Sequence, residues 1–124
     1  MNKYIIVKDD FKTTADGTKL YRIKALRNFS DVEVGTLGGY IEKKSNLSQY
    51  GNAWVFENAK VYEDARVYGN AYVSGNAWVS GTAWVYGDAQ VYGNACVYGD
   101  ACVFGDARVY GDAWVYKDAR VSLE

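Results

Sequence analysis

Histidine and proline are absent from the 124 residues, and cysteine occurs only twice. Without histidine the chain has no side chain whose ordinary pKa suits proton transfer near neutral pH. It also lacks the commonest zinc ligand. Two cysteines in a chain of this size do not make a disulfide framework. Charge of either sign is not in excess: the formal net charge is −1. That removes the electrostatic case for nucleic acid or an acidic membrane as a partner. Long apolar runs are missing too. The opening stretch holds only Ile5-Ile6-Val7 before charges resume, which is too short for a signal peptide or a membrane span. A cytoplasmic protein is expected, with neither nucleic acid nor membrane among its partners. Asn28-Phe29-Ser30 and Asn46-Leu47-Ser48 match the glycosylation acceptor pattern and are read as chance in a chain without a secretion signal.

What is present is biased. Glycine occurs 13 times and tyrosine 12 times, and such bias signals a repeat. From Asn52 the chain divides into sixes: NAWVFE, NAKVYE, DARVYG, NAYVSG, NAWVSG, TAWVYG, DAQVYG, NACVYG, DACVFG, DARVYG, DAWVYK, DARVS. Alanine recurs from Ala53 to Ala119 and valine from Val55 to Val121, without a miss. Asn or Asp precedes each alanine except at Thr82. Glycine closes every hexad from Gly69 to Gly105, and again at Gly111. A period of six fits neither an α-helix nor a coiled coil. It fits a short strand and a tight corner. Ala and Val stand two apart and face one side, and the residues beside them face the other. Gly-Asn and Gly-Asp tolerate positive φ and supply the corner. Antiparallel hairpins are the alternative for such turns, but they would need strands of about four residues that all keep the same small side chains inward.

This pattern resembles the hexapeptide-repeat superfamily of left-handed parallel β-helices. The resemblance implies three hexads per triangular coil, so the twelve hexads form four coils. At roughly 4.8 Å per coil the prism is roughly 20 Å long. The left hand is implied by the resemblance alone, since general crossover statistics favour the right. The N-terminal part breaks the pattern. Residues 3–8 and 19–26 read as strands around a loop with Asp16-Gly17. Ile41 and Leu47 fall on alanine positions and Gln49 on a valine position, so residues 40–50 read as a degenerate first coil. The expected organisation is a small N-terminal β-hairpin cap over residues 1–39 and a β-helix of about four to five coils over residues 40–122, all-β throughout. A cap is needed because an end coil exposes unpaired backbone and core. The stretch LYRIKALRNFSDVEVGTLGGYIE, running into NLSQYGNAWV, is similar to bacterial and prophage hexapeptide-repeat proteins labelled acyltransferases or polymer-forming proteins. That label follows the fold, and fold does not fix function.

Acyltransferases of the superfamily use a histidine base at a subunit boundary, and the related carbonic anhydrases hold a metal with histidines. Neither device is possible here. The protruding loop that shields the cofactor in such enzymes is missing as well, because the hexads run unbroken. Neither a cofactor nor a metal is expected, and no catalytic residue is assigned. Asp64, Asp88, Asp100, Asp106, Asp112 and Asp118 occupy the corner column, where corner geometry explains them. A metal ladder there would be interrupted by Asn and Thr. Cys96 and Cys102 fall at equivalent outward positions on adjacent faces, beyond the ~7 Å Cα separation of a disulfide, and no histidine is available to activate a thiolate.

The outward positions carry the functional signal. Fourteen of the twenty aromatic residues fall on them. An eighteen-residue repeat stacks Tyr68, Tyr86 and Phe104 on one face. It stacks Tyr98 and Tyr116 beside Trp78, Cys96 and Trp114 on another. Tyr92 and Tyr110 share the third with Trp54 and Tyr72. Stacked rings favour strand pairing in their own right. At roughly 100 Å² per ring, however, the exposed aromatic area would reach on the order of 1,400 Å², and monomers rarely expose contiguous patches above a few hundred Å². Trp54, Tyr72, Trp78, Trp84, Tyr98, Trp114 and Tyr116 are therefore the expected binding or oligomer interface. The expected function is a non-catalytic structural or binding module that self-associates through these faces or its C-terminal coil, with a host protein or small ligand as a further partner. The alternative is an acyl-CoA-dependent acyltransferase with a non-histidine base.

Overall fold

The left-handed backbone conformation at each corner is the local feature that turns hexads into coils. A computed structural model describes residues 2–123. In it Gly69, Gly75, Gly81, Gly87, Gly93, Gly99, Gly105 and Gly111 all have φ between 64° and 70°. Two constraints select glycine there. The conformation penalises a Cβ, and the corners of successive coils nearly touch: a Cβ on Gly87 would lie 2.9 Å from the Gly105 nitrogen. Glu57, Glu63 and Lys117 adopt the same conformation, with φ of 57–59°. Glu57 and Glu63 make use of their side chains. Their Oε1 atoms accept from the Gly75 amide at 3.0 Å and the Gly81 amide at 2.9 Å in the next coil.

Between corners, twelve short strands run from Trp54–Val55 to Arg120–Leu123 among the described residues. Each pairs in parallel with the strand eighteen residues away, as in Trp54↔Tyr72 and Gln90↔Arg108. Three sheets result. One contains the strands at Trp54, Tyr72, Gln90 and Arg108, and one those at Arg66, Trp84, Cys102 and Arg120. The third contains those at Lys60, Trp78, Cys96 and Trp114, and it continues into the N-terminal strands. The molecule is thus an all-β parallel solenoid. Alanines 53–107 and valines 55–115 of the repeat fill its interior and are buried. Ala113 and Ala119, in the last described coil, are exposed. Among the described residues no helix is long and apolar enough to cross a membrane.

Three longer elements precede the array: β1 (Tyr4–Thr13), β2 (Lys19–Ala25) and β3 (Leu37–Ile41). β1 and β2 form an antiparallel hairpin, β2 pairs antiparallel with β3, and β3 joins the Lys60 strand in parallel. β1 extends to Thr13, five residues beyond the expected end.

The first coil departs from the expected register. Ile41 pairs with Val61 and Leu47 with Val67. Both therefore stand in the valine column, not on the alanine positions that strict counting by six assigns. The spacing is twenty residues here and eighteen beyond. The physical reason is a corner enlarged by two residues between Leu47 and Gly51. Gly39 occupies the preceding inward position, where a Cβ would meet the Ala59 carbonyl oxygen at 2.5 Å and Val55 Cγ1 at 2.7 Å. Glycine there leaves room for the larger Ile41. Gln49 is not in the core. Its Oε1 accepts from the amides of Lys3 (2.8 Å) and Tyr4 (3.2 Å), tying β1 to the coil. The buried Asn46 compensates for the irregular backbone. Its Nδ2 donates to the carbonyls of Glu63 (3.1 Å) and Ala65 (2.9 Å), while Oδ1 accepts from the amides of Glu42 and Lys43.

The N-terminal end of the prism is plugged by Lys3 and Tyr4, both fully buried. Lys3 Nζ donates to the Ala53 carbonyl at 2.6 Å and lies 5.0 Å from the centre of the Phe29 ring. Tyr4 donates its hydroxyl proton to the Leu47 carbonyl at 2.6 Å. Burial, with the charge of Arg27 as a smaller cause, lowers the Lys3 pKa to about 8. Burial raises that of Tyr4.

Candidate functional site

The residues between Ala and Val and those just after Val face outward, and the coil repeat stacks the after-Val rings on one another. The rings form the expected ladders. Tyr68 stacks on Tyr86 with centroids 4.9 Å apart, and Tyr86 on Phe104 at 5.3 Å. Tyr92–Tyr110 and Tyr98–Tyr116 each stack at 5.4 Å. Indoles meet neighbouring tyrosines edge-on: Tyr62–Trp78 at 6.5 Å and Tyr68–Trp84 at 6.3 Å. Such contacts add about 0.5–1.5 kcal/mol each beyond area burial, so part of the aromatic content serves the fold.

The seven expected interface residues divide into two groups. Trp54 is not available to a partner: it is fully buried. The N-terminal segment lies over it, with Phe29 edge-on at 5.3 Å and Tyr4 edge-on at 6.2 Å. Its outward direction was correctly read from the period, but a second segment occupies that face. Its Nε1 has no hydrogen-bond partner, alone among the buried side-chain polar atoms of the described residues. Tyr72 is half-buried on the same face. Its hydroxyl lies 2.7 Å from Ser30 Oγ, and its ring meets Phe56 at 5.1 Å. The other five remain at the surface. Trp78 and Trp84 are each 45% exposed, Trp114 66% and Tyr116 43%, while Tyr98 is half-buried in its stack. Trp78 and Trp114 flank Cys96 in one sheet. Trp84 lies in a different sheet, beside Arg66 and Cys102.

Among the described residues no nucleophile stands beside a base at these rings. Cys96 and Cys102 are free and half-buried, in different sheets. Burial raises the Cys96 pKa, which disfavours the nucleophilic thiolate. Much of the corner column is engaged in hydrogen bonding between coils. Asn70 Nδ2 donates to Asp88 at 3.2 Å and Asn94 Nδ2 to Asp112 at 3.4 Å, and the Thr82 hydroxyl contacts Asp100. No group of three or more metal-ligating side chains occurs among the described residues.

Concave surface is found where the N-terminal part meets the array. One cleft, of about 500 Å³, is lined by Lys44, Gln49, Tyr50, Arg66, Tyr68 and Trp84 among others. A second, of about 470 Å³, lies between the hairpin tip (Lys12 to Asp16) and Lys60, Tyr62, Glu63 and Trp78. Lys12, Lys60 and Tyr62 are not marked as site residues by the hexad pattern. A faint signal was available, since Lys60 is the only lysine at the position between Ala and Val in the twelve hexads.

Comparison with known proteins finds β-solenoid repeats similar to the array. Residues 65–81, 89–105 and 101–117 match the family model described as YdcK beta solenoid repeat. The "Uncharacterized acetyltransferase YdcK" of Escherichia coli strain K12 is 38% identical over 63 residues, an overlap that covers 46% of this chain and 19% of that protein. The chain therefore spans about a fifth of the length of the relative it matches. All three matched segments of the family model lie inside the hexad array. The chain is a β-solenoid, similar in sequence to that protein over these 63 residues.

Proposed function

We propose that this chain is a non-catalytic structural and binding module of the cytoplasm that assembles with copies of itself through its aromatic outer faces, with a protein or small molecule as further partner. The observation that carries this reading is the exposure of Trp78, Trp84 and Trp114 on a scaffold whose sequence has no histidine. Three large indoles standing in water are an unfavourable arrangement for a solitary prism and a suitable one for an interface, where tryptophan supplies much of the binding energy. Sedimentation of the wild-type chain should show more than one copy per particle. Replacing Trp84 and Trp114 together by serine should shift the particle to monomer with the β signal in circular dichroism retained. A wild-type chain that sediments as a clean monomer at high micromolar concentration overturns the assembly reading.

A second reading is acyl transfer from acyl-CoA with a base other than histidine. The printed name of the YdcK relative favours it. Calorimetric titration with CoA separates the two: binding of CoA, followed by turnover of a CoA thioester, supports transfer, and silence supports the binding module.

A further inference from the structure

The hairpin tip and the solenoid face beneath it enclose a cleft with an unusual charge arrangement. Two of its lining residues, Lys12 and Lys60, approach the ring of Tyr40, which is buried in β3. Three cations gather around this one ring: Arg22 Cζ at 4.5 Å from its centre, Lys12 Nζ at 5.0 Å and Lys60 Nζ at 5.9 Å. A single carboxylate answers them, Asp10, which pairs with Arg22 at 2.9 Å. Lys12 and Lys60 make no salt bridge among the described residues. Asp16 and Glu63 also line the cleft, so its lining holds two acids beside two lysines, but each acid is oriented by hydrogen bonds of its own and neither forms a salt bridge with Lys12 or Lys60. Asp16 is held in its own turn, contacting the Thr14 hydroxyl and accepting from the Thr18 amide at 3.2 Å. Glu63 accepts from the Gly81 amide at 2.9 Å.

The exposed Lys12 and the half-buried Lys60 thus line one cleft without a salt-bridge partner, and Lys60 Nζ donates to the Asn58 carbonyl at 3.3 Å. The Lys60 pKa is lowered, by burial first and by Lys12 second, which reflects the same arrangement. Lys60 Nζ also lies 5.8 Å from the Trp78 ring, and that indole, with Tyr62, forms the open side of the cleft. Thr13 and Thr14 on the hairpin tip add hydroxyls opposite. A cationic end beside an exposed flat ring matches a ligand with an anionic end and a flat ring of its own. Lysine pairs serve phosphate as point charges, and indoles stack on flat aromatic ligands.

We infer that this cleft binds a small aromatic phosphate, with the phosphate between Lys12 and Lys60 and the ring against Trp78. The inference takes Trp78 for the ligand and leaves Trp84 and Trp114 to self-association, and the titration is repeated on the chain carrying Trp84→Ser and Trp114→Ser, so that burial of Trp78 between copies does not mask binding. The test is a titration of the isotope-labelled chain by NMR, following the Trp78 indole N–H and the amides of residues 12–16 and 60–63. Four probes are used: phenyl phosphate, a nucleoside monophosphate, inorganic phosphate and phenol. At least one of the first two should give saturable shifts confined to these signals, and the tighter of them identifies the source of the ring. Inorganic phosphate and phenol should each bind roughly tenfold or more weaker, since each lacks one half of the recognition. Lys12→Gln and Lys60→Gln should each weaken binding by roughly tenfold, with the far-ultraviolet circular dichroism unchanged. Should Lys60→Gln unfold the strand, Lys12→Gln on the exposed hairpin still decides the matter. Absence of saturable shifts with both aromatic phosphates overturns the inference, as does equal binding by Lys12→Gln and wild type, or equal binding of inorganic phosphate and phenyl phosphate.

Discussion

Lys3 gives the fold a pH dependence whose sign and size follow from its site. The ammonium is fully buried at the plugged end of the prism, with the Ala53 carbonyl as its close partner and the Tyr50 carbonyl at 3.5 Å. It is held at about 8, against 10.5 for an unburied lysine. At pH 7 both folded and unfolded chains carry the charge, and the folded chain carries it where it is disfavoured by on the order of 3 kcal/mol. Between pH 8 and pH 10 the folded chain has released the proton while the unfolded chain largely retains it. The unfolded state then binds more protons, so stability rises with pH. The gain from pH 7 to pH 10 is about 2 kcal/mol. Tyr4, raised by burial, contributes stability that is complete below pH 10 and lost above it, so the measurement ends there. The control is Lys3→Met, which keeps the apolar stem and removes the titrating group. At pH 7 it should lie within about 1 kcal/mol of wild type, because relief of the buried charge offsets the unmet carbonyls. By pH 10 the wild type should lead by about 2 kcal/mol. Urea denaturation at intervals of half a pH step measures both curves. Parallel curves from pH 7 to pH 10 would refute the argument, since they would show that Lys3 titrates equally in both states.

Gly87→Ala should destabilise by about 1–3 kcal/mol, because it places a Cβ in left-handed backbone and within 2.9 Å of the Gly105 nitrogen; urea midpoints at constant slope measure it. Leu47→Ala should lose about 2–5 kcal/mol, since Leu47 fills a valine-column site at zero exposure, and a loss below about 1 kcal/mol would mean that the enlarged corner can collapse into the space.

The hexad array was legible because one small inward pair repeats. Ala and Val two apart declare a face, and a fixed period of six declares the corner. The eighteen-residue stacking of Tyr68, Tyr86 and Phe104 followed from that arithmetic alone. The first coil was not legible for the same reason. Counting by six assumes equal corners, and nothing in Ser48-Gln49-Tyr50 announces two extra residues, so Leu47 and Gln49 were set one column off. Trp54 shows a different limit. Alternation tells which way a side chain points from its own strand, and only tertiary structure tells whether another segment lies there. The cleft is the strongest case. Lys12 and Lys60 lie 48 positions apart in the sequence, and they meet only because β3 brings the hairpin onto the Lys60 sheet.

The solenoid constrains where function can lie. Through the described hexads its interior is a column of alanine and valine, with no polar side chain to offer a ligand. Its corners are consumed by hydrogen bonds between coils, including those of Asn70, Thr82 and Asn94. Recognition must therefore use the outward rings or the junction with the hairpin. The two uses of the rings can be separated by asking what each contributes to stability. Tyr86 stacks on both sides, at 4.9 Å and 5.3 Å, so Tyr86→Ser removes two stacks and should lower stability by about 1–3 kcal/mol. Trp114 is two-thirds exposed and stands in none of the stacked ladders, so Trp114→Ser should leave the urea midpoint of the dissociated chain nearly unchanged. If Trp114→Ser abolishes association at unchanged monomer stability, the exposed indoles serve recognition and the stacked tyrosines serve the fold. If it lowers stability as much as Tyr86→Ser does, the whole aromatic surface is structural, and the interface reading loses its main support.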